Sequence, residues 1–376
     1  MLVRRVTADV RIHFENLTDP RRREVTYPLM NVVVMTPCAV ISGADDFVGI
    51  AAWSRKNQTW LARCLDMSAG VPSHDRFNAI VAAINAREFE TCLLSWITAL
   101  HEITSGQVIA IDGKTLRGSF DAASSKSAIH MVSAWATANH ISLRQVVVDA
   151  KSNEITAIPK LLDLIEISGA IVTIDAMGCQ TELVDKIVSK KADCCIAVKQ
   201  NQPTLHAAIT QHFDELIDAD FCDTKVRQTA TSEEGHGRVE QRHYAICPVP
   251  ESVKALSRWK KVRAIGMATN ITVRQGKEHT EIRYYILTRY VSGKRFADAV
   301  RSHWGLENSL HWQLDVTFRE DTCRARKGHS DANLSVIRRF ALSMLKNEKS
   351  EKLGIKNKRL LAAWDNEYLA KVLFGQ

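Results

Sequence analysis

The stretch that decides the fold is Val108-Ile109-Ala110-Ile111-Asp112-Gly113-Lys114-Thr115, in which a short apolar run ends at an acid. A second run, Ile171-Val172-Thr173-Ile174-Asp175-Ala176, has the same form. Short apolar runs rich in β-branched residues are typical of buried strands. A single Asp at a strand end is most often a turn or cap residue. The functional interpretation therefore depends on the residues around each acid.

The elements around these two acids predict an α/β fold. They are strands over residues 107–111, 129–134 and 142–148, a helix over 155–167, a strand over 170–174, a helix over 182–189 and a strand over 194–198. Three strands followed by helix, strand, helix and strand is the order of an RNase H-like fold. Such a core holds two divalent metal ions for phosphoryl transfer on nucleic acid.

A third acid, Glu307, lies in the helix-like stretch His303-Trp304-Gly305-Leu306-Glu307-Asn308. His303, Glu307 and His311 follow α-helical spacing, so they are predicted to share one face. Trp304 and Trp312 could stack on bases, but aromatic residues at helical spacing are usually buried, so we expect core positions. A zinc site on the histidines is disfavoured because no base for a bound water is evident. Asp315 is the reserve candidate for the third acid.

The three acids match a known chemistry. Phosphodiester cleavage and strand transfer need an activated oxygen nucleophile and stabilisation of a charged in-line transition state, which two Mg²⁺ (or Mn²⁺) ions can supply. Asp112 is expected to bridge both ions, Asp175 to hold one and Glu307 the other. The chain is thus a candidate DDE-type DNA transposase.

The domain organisation follows from the change in pattern along the chain. Residues 1–100 are predicted to form a small all-α domain, with Ser73 as a helix cap. Such domains can bind DNA, although no spacing marks a recognition helix. Residues 105–345 are predicted to form the catalytic domain. They include a β-rich insertion over about 203–292 with strands near 239–247, 261–267 and 283–287, while 346–376 form a basic tail.

The composition favours a polyanion partner and disfavours a cysteine-based site. The net charge is +8, and Lys and Arg neutralise phosphates. The nine cysteines are irregularly spaced and form no C-x-x-C pair, which argues against a structural metal protein. No apolar run is long enough to span a bilayer, and no secretion signal follows Arg5, so we expect a cytoplasmic protein that does not enter a membrane.

Several cations are placed to contact DNA. Lys114 follows Asp112 closely, and Lys199 begins a polar stretch, Lys199-Gln200-Asn201-Gln202, that could touch a phosphate or a flipped base. Gly235-His236-Gly237-Arg238 is a turn entering a strand with one charged face. That strand is either a solvated edge or a surface that tracks the DNA backbone.

The sequence resembles a known family over nearly its whole length. The strings that carry the resemblance are Tyr27-Pro28-Leu29, Cys38-Ala39-Val40-Ile41-Ser42-Gly43-Ala44, Pro72-Ser73-His74-Asp75, Ala110-Ile111-Asp112-Gly113-Lys114-Thr115-Leu116-Arg117, Lys151-Ser152-Asn153-Glu154-Ile155-Thr156-Ala157-Ile158-Pro159, Asp175-Ala176-Met177-Gly178-Cys179-Gln180, His236-Gly237-Arg238, Arg283-Tyr284-Tyr285-Ile286, His303-Trp304 through Glu307-Asn308, Leu310-His311-Trp312 and Leu314-Asp315-Val316. They are similar to the H-repeat-associated, Rhs-element-linked transposases of bacterial insertion sequences, which are DDE transposases.

The resemblance implies an acid triad of Asp112, Asp175 and Glu307, a helical N-terminal domain and a β insertion before the glutamate. It also implies double-stranded DNA, element ends and target, as the partner, and a nucleoid-associated bacterial protein. The reaction class needs paired ends, so we expect a homodimer when the protein is active. The candidate DNA-binding residues are Lys114, Arg117, Lys199, His236, Arg238, Arg301, His303 and Asn308.

The chain departs from a related branch that carries a Tyr–Arg–Glu–Lys signature around the glutamate. His303 stands where the arginine would be, with Val300 and Leu314 in place of the tyrosine and lysine. Phosphate contacts assigned to that signature are therefore not carried over. His303 is one candidate substitute, and Arg301 with Lys294 is the other. Two alternatives stay open, namely a nuclease that cuts without joining and a non-catalytic or decayed transposase-derived protein that only binds DNA.

Overall fold

The structure is a computed structural model that describes residues 10–22, 25–101, 106–120, 128–148, 153–222, 225–235 and 237–375. The chain divides into two compact units. The terminal unit comprises residues 1–104, 113–150 and 307–376, and the central unit comprises residues 105–112 and 151–306. Within the described ranges, no helix is both long enough and apolar enough to cross a membrane.

The first part of the terminal unit is helical where it is described. Its helices are α1 (Val10–Phe14), α2 (Leu29–Ile41), α3 (Phe47–Lys56), α4 (Gln58–Leu61), α5 (His74–Ala83) and α6 (Ala86–Leu100). Ser73 begins α5 as expected, since its side-chain oxygen accepts the Arg76 N–H at 3.2 Å. Asp46 and Asn85 cap α3 and α6 in the same way.

The terminal unit is completed by the end of β1 (Val108–Leu116), by β2 (Ile129–Ala136) and β3 (Ile141–Val148), and by three late helices. The sheet order in this unit is β3-β2-β1, and β2 and β3 are antiparallel. The late helices are α11 (Ser330–Asn347), α12 (Ile355–Trp364) and α13 (Asn366–Phe374). The predicted basic tail of residues 346–376 is therefore helical over most of its length.

The centre of the terminal unit is α11, whose residues 330–345 are all buried. The sequence predicts an amphipathic helix here, but the structure surrounds it with α2, α5, α6 and β3. Polar residues on a fully buried helix need internal partners. The amide nitrogen of Asn333 has them, because its Nδ2 donates to the backbone oxygens of Val81 at 2.7 Å and Ile84 at 3.0 Å.

The central unit contains one sheet with the strand order β1-β4-β5-β9-β8-β7-β6. Its further strands are β4 (Ile171–Ile174), β5 (Asp193–Val198), β6 (Arg227–Gly235), β7 (Arg238–Pro248), β8 (Ala264–Arg274) and β9 (Lys277–Leu287). Strands β1, β4 and β5 are parallel, and β9 pairs antiparallel with β5. The predicted β-rich insertion thus extends the same sheet.

In the described residues of the central unit, the α-helices are α7 (Glu154–Asp163), α8 (Thr181–Ser189), α9 (Pro203–Asp218) and α10 (Gly293–Leu306). The core of this unit lies between the sheet and α10, which buries Phe296, Ala299 and Val300 against residues of β4, β5 and β7–β9. This packing fixes α10 against the sheet of the central unit.

Candidate functional site

Two of the predicted acids belong to neighbouring parallel strands. Ile111 of β1 pairs with Ile174 of β4, and Asp112 and Asp175 are the residues that follow this pair. The expectation that Asp112 ends its strand is wrong, because β1 continues to Leu116, whereas Asp175 directly follows β4 as expected. Parallel strands lie about 4.8 Å apart and place equivalent residues side by side. Asp112 is half-buried, and Asp175 has 50% of its side chain exposed. The structure therefore places both acids next to each other at the carboxyl end of β4.

The turn after Asp175 is fixed by close packing. It is a single 3₁₀ turn, Ala176–Gly178. A Cβ on Gly178 would overlap the Ile174 side chain, so only glycine fits. The side chain of Asn201 donates to the Ala176 carbonyl at 2.6 Å, and that of Gln202 donates to the Cys179 carbonyl at 2.8 Å.

These two amides have a role that the sequence analysis missed, because it treated residues 199–202 only as candidate DNA contacts. In the structure Asn201 and Gln202 hold the segment that presents Asp175. The available signal was their position, since side-chain amides directly after a buried strand lie beside the end of the neighbouring strand. Within the same stretch, Lys199 contacts the carboxylate of Asp175 itself.

Lys199 forms an ion pair with Asp175, with Nζ 3.0 Å from Oδ1. Burial raises the pKa of Asp175, but the hydrogen bond from the Ala176 N–H and the Lys199 ammonium outweigh it. The resulting pKa lies below the usual value for aspartate. Asp175 is therefore ionised at neutral pH and accessible to a cation.

His303 lies on the same side of the sheet, where its Nδ1 is 3.2 Å from Thr173 Oγ1. Burial lowers its pKa to about 4, and the charges of Arg283 and Lys199 act in the same direction, while Asp175 opposes them. The ring is neutral at pH 7. It cannot then supply the positive charge of an arginine at this position, although it can still exchange hydrogen bonds.

The depressed pKa of His303 predicts how the free energy of unfolding depends on pH. An unfolded histidine titrates near pH 6.5, so between about pH 6.5 and 4 the unfolded chain binds a proton that folded His303 does not. The stability that the neutral His303 ring gives the folded state is fully present above pH 6.5, and it is lost as the pH falls toward 4. Wild type should therefore lose stability relative to His303→Gln over this window, measured by urea midpoints. A constant difference between the two would mean that the ring titrates normally.

Glu307 is exposed and begins a stretch whose helical winding changes. The α-helical geometry of α10 ends at Leu306, and Glu307–His311 and Gln313–Thr317 are π-helical. A π turn is wider than an α turn, so the α-spacing that predicted one shared face for His303, Glu307 and His311 does not apply here. π-helical turns occur frequently at functional sites.

The two tryptophans of this stretch differ. Trp304 is partly buried against the central core and carries the Arg283 guanidinium 3.9 Å from its ring centroid. The expectation of burial is wrong for Trp312, which is 51% exposed. The side chain of the neighbouring Asn308, a candidate DNA contact, lies outside the described residues.

Lys114 lies in a carboxylate cluster of the terminal unit. Its side chain is 7% exposed, and its Nζ is 2.5 Å from Asp315, 3.4 Å from Asp321 and 3.6 Å from Glu320. Burial raises the pKa of Asp315 in spite of the lysine. The reserve acid and the predicted phosphate-binding lysine are thus partners of each other. This pair ties β1 to the segment that follows Glu307.

The other candidate DNA contacts also have carboxylate neighbours. Arg117 is largely exposed, with Nε 3.8 Å from Asp321. Arg238 pairs with Glu240 at 2.6 Å, and Arg301 pairs with Glu233 at 2.6 Å. His236 lies outside the described residues. In the part of the chain that the structure describes, no three His, Cys, Asp or Glu side chains form a group that could hold a metal ion.

Two family models match the chain. The family described as "DDE_Tnp_1-associated" matches residues 11–97, and "Transposase DDE domain" matches residues 103–344. The second match covers more than half of the 376 residues. The chain therefore belongs to the DDE transposase family that includes the H repeat-associated transposases.

Individual relatives agree with this assignment. The chain is 41% identical over 356 residues to "Putative transposase YncI" of Escherichia coli O157:H7, covering 93% of this chain and 90% of that protein. It is 38% identical over 371 residues to "H repeat-associated putative transposase YhhI" of Escherichia coli (strain K12), covering 96% and 97%. A cryo-EM structure of a piggyBac transposase synaptic complex with hairpin DNA aligns with 98% of this chain and 77% of that one. Its 10% identity and TM-score of 0.42 are too low to carry an argument.

Proposed function

We propose that the protein is a DDE transposase that catalyses metal-dependent cleavage and strand transfer of insertion-sequence DNA, with Asp112, Asp175 and Glu307 as its acids. The observation that carries the proposal is the register of β1 and β4, which puts Asp112 and Asp175 side by side in a chain of this family. The chain order β1, β2, β3, α7, β4, α8, β5 supports an RNase H-like core.

The carboxylates of Asp112, Asp175 and Glu307 are ligands of the type that Mg²⁺ or Mn²⁺ prefers, although the described structure does not gather the three side chains into one group. Mg²⁺ prefers oxygen ligands and usually takes one or two carboxylates together with waters and substrate phosphate. Asp175 is ionised and half-exposed, and it directly follows the strand next to that of Asp112. Asp112, Asp175 and Glu307 would hold two such ions. When bound, the ions supply Lewis-acid stabilisation of the attacking and leaving oxygens.

The chain's own residues have separate tasks around these acids. Asn201 and Gln202 hold the Asp175 turn in place, which keeps the carboxylate in one geometry. The Lys199 ammonium neutralises Asp175 in the absence of other cations and is near enough to bind a phosphate once that carboxylate has another partner. The partner is double-stranded DNA, as element ends and as target. Joining two ends calls for a homodimer in the active state.

The experiment that tests this proposal uses a labelled duplex that carries the ends of the encoding element. The wild-type chain is incubated with Mg²⁺, with Mn²⁺ or with EDTA, and the products are separated by size. Metal-dependent joining of the 3′ ends to a second duplex supports a transposase. Cleavage without joining would instead identify a nuclease. DNA binding with neither product would identify a decayed, DNA-binding protein.

A further inference from the structure

A second group of cations lies between β7 and β8, in residues 251–263, here named the basic segment. It contains one acid, Glu251, and five exposed cations. The cations are Lys254, Arg258, Lys260, Lys261 and Arg263. The sequence pattern predicts only a strand beginning at residue 261 in this stretch.

The backbone of the basic segment is anchored by regularly spaced apolar residues. Val253, Leu256, Trp259 and Val262 recur at every third position, and each is at most 5% exposed. The 3₁₀ turn Lys254–Leu256 packs against α9. The cations between the anchors therefore project to solvent from a fixed backbone. A preorganised surface loses less conformational entropy when it binds a ligand.

The charge of the basic segment is not neutralised within the described chain. Lys114, Lys199, Arg238 and Arg301 each form an ion pair with a carboxylate. By contrast, Lys254, Lys260, Lys261 and Arg263 have no ion-pair partner among the described residues. Clustered positive charges repel each other and attract a polyanion. The basic segment is thus better suited to bind phosphate than the paired cations are.

The position of the basic segment connects it to the Asp175 turn within the central unit. The Arg258 guanidinium donates a hydrogen bond to the Gln202 side-chain oxygen, and Gln202 in turn donates to the Cys179 carbonyl at 2.8 Å. Beside it lies a groove of about 680 Å³, open to solvent, whose lining includes Lys254, Lys260 and Arg263. Two hydrogen bonds therefore link a positively lined groove to the turn that presents Asp175.

We propose that the basic segment binds the phosphate backbone of duplex DNA next to Asp175, without regard to base sequence. This rests on the proposed function, because it assigns the DNA a path to the same acids. Lysine contacts to phosphates release counterions, so they contribute to affinity and to its salt dependence together. The basic segment should therefore carry a measurable share of both.

The test is equilibrium binding of the full chain to a fluorescent duplex, followed by anisotropy in EDTA so that no cleavage occurs, over a salt series. For Lys254→Ala/Lys260→Ala/Lys261→Ala we expect affinity at low salt to fall about 10-fold or more and the slope of log affinity against log salt to become shallower by about 2 to 3. The conservative variant with arginine at all three positions should keep the wild-type slope.

The matched control removes the same charge elsewhere, as Lys352→Ala/Lys356→Ala/Lys371→Ala, three exposed lysines of the terminal unit. The control should bind like wild type. An unchanged slope in the first variant, or an equal loss in the control, would overturn the proposal. If wild type itself binds no duplex, the proposed function fails as well. Failure of the basic-segment proposal alone would instead leave wild-type binding intact. All substituted lysines are exposed, so the thermal unfolding of every variant should match that of wild type.

Discussion

Asp175→Asn is expected to reduce strand transfer by a factor on the order of 10² to 10³ or more, as happens when a group that stabilises transition-state charge is removed. The amide keeps the size of the carboxylate and can still accept the Ala176 N–H, but it has no charge with which to hold a divalent cation. The lost ion pair with Lys199 is about half-exposed on both sides, so its removal should change stability by no more than about 1 kcal/mol. Activity and stability should thus separate.

The matched control for this prediction is Asp163→Asn. Asp163 is another exposed acid of the central unit that pairs with a lysine, Lys186, at 2.8 Å, but it is the last residue of helix α7 and does not follow a strand. It should transfer strands like wild type. Binding of Mn²⁺, followed by electron paramagnetic resonance, gives a readout that does not depend on turnover. Asp175→Asn should weaken the binding of Mn²⁺, and Asp163→Asn should leave it unchanged.

Parallel variants identify the remaining acids. Asp112→Asn and Glu307→Gln should be as inactive as Asp175→Asn. Full transfer by Asp175→Asn would remove this residue from the proposed triad. Loss of activity in Asp315→Asn together with retention in Glu307→Gln would identify the reserve acid as the third member. Because Asp315 is bound to Lys114, Asp315→Asn is also expected to lower stability, which Glu307→Gln is not.

The strands at the centre of the fold could be predicted because their signals are local. The apolar runs before Asp112 and Asp175 are strands because β-branched residues fit a buried pleated surface, and both were expected from composition alone. The cap at Ser73 was predictable for the same reason, since its side chain bonds only to a backbone N–H of the helix that it begins.

Other features depend on partners that the sequence does not show. Strand β6 was missed because Arg227–Gly235 is polar on both faces, and it is a strand only as the edge partner of β7. The π-helical winding after Leu306 has no composition signal of its own. Trp312 was expected to be buried from helical spacing that the wider turns no longer obey. In each case a tertiary partner or a change of winding overrides the local pattern.

The Lys114 cluster is the clearest example of such a long-range feature. A cation two positions after Asp112 was expected to face a phosphate, whereas it is buried among Asp315, Glu320 and Asp321. These residues are about two hundred positions away along the chain. The same applies to Gly118, where a Cβ would overlap the Cys323 carbonyl. The end of β1 is thus fixed by the segment after Glu307, a contact that only the fold reveals.

Glu320→Ala is expected to destabilise the protein by about 3 to 5 kcal/mol, the usual result when one partner of a buried ion pair is removed. Glu320 is 1% exposed and Arg339 is 2% exposed, with Nη1 3.4 Å from the carboxylate. Ser335 also donates to Glu320 at 2.9 Å. The Arg339 Nε and Nη2 already have no acceptor among the described residues, so the variant would leave a buried cation without its carboxylate.

The matched control is Glu367→Ala, in the same unit, whose carboxylate pairs with Arg63 at 3.6 Å while both side chains are at least 70% exposed. Exposed pairs of this kind contribute about 0 to 1 kcal/mol, so urea unfolding should show a small change here and a large one for Glu320→Ala. The double variant Glu320→Leu/Arg339→Leu removes both charges and should recover much of the loss, because the penalty arises from the unpaired cation rather than from a missing attraction. Equal effects of the single and double variants would instead mean that the carboxylate acts through Lys114, and Lys114→Met should then rescue Glu320→Ala.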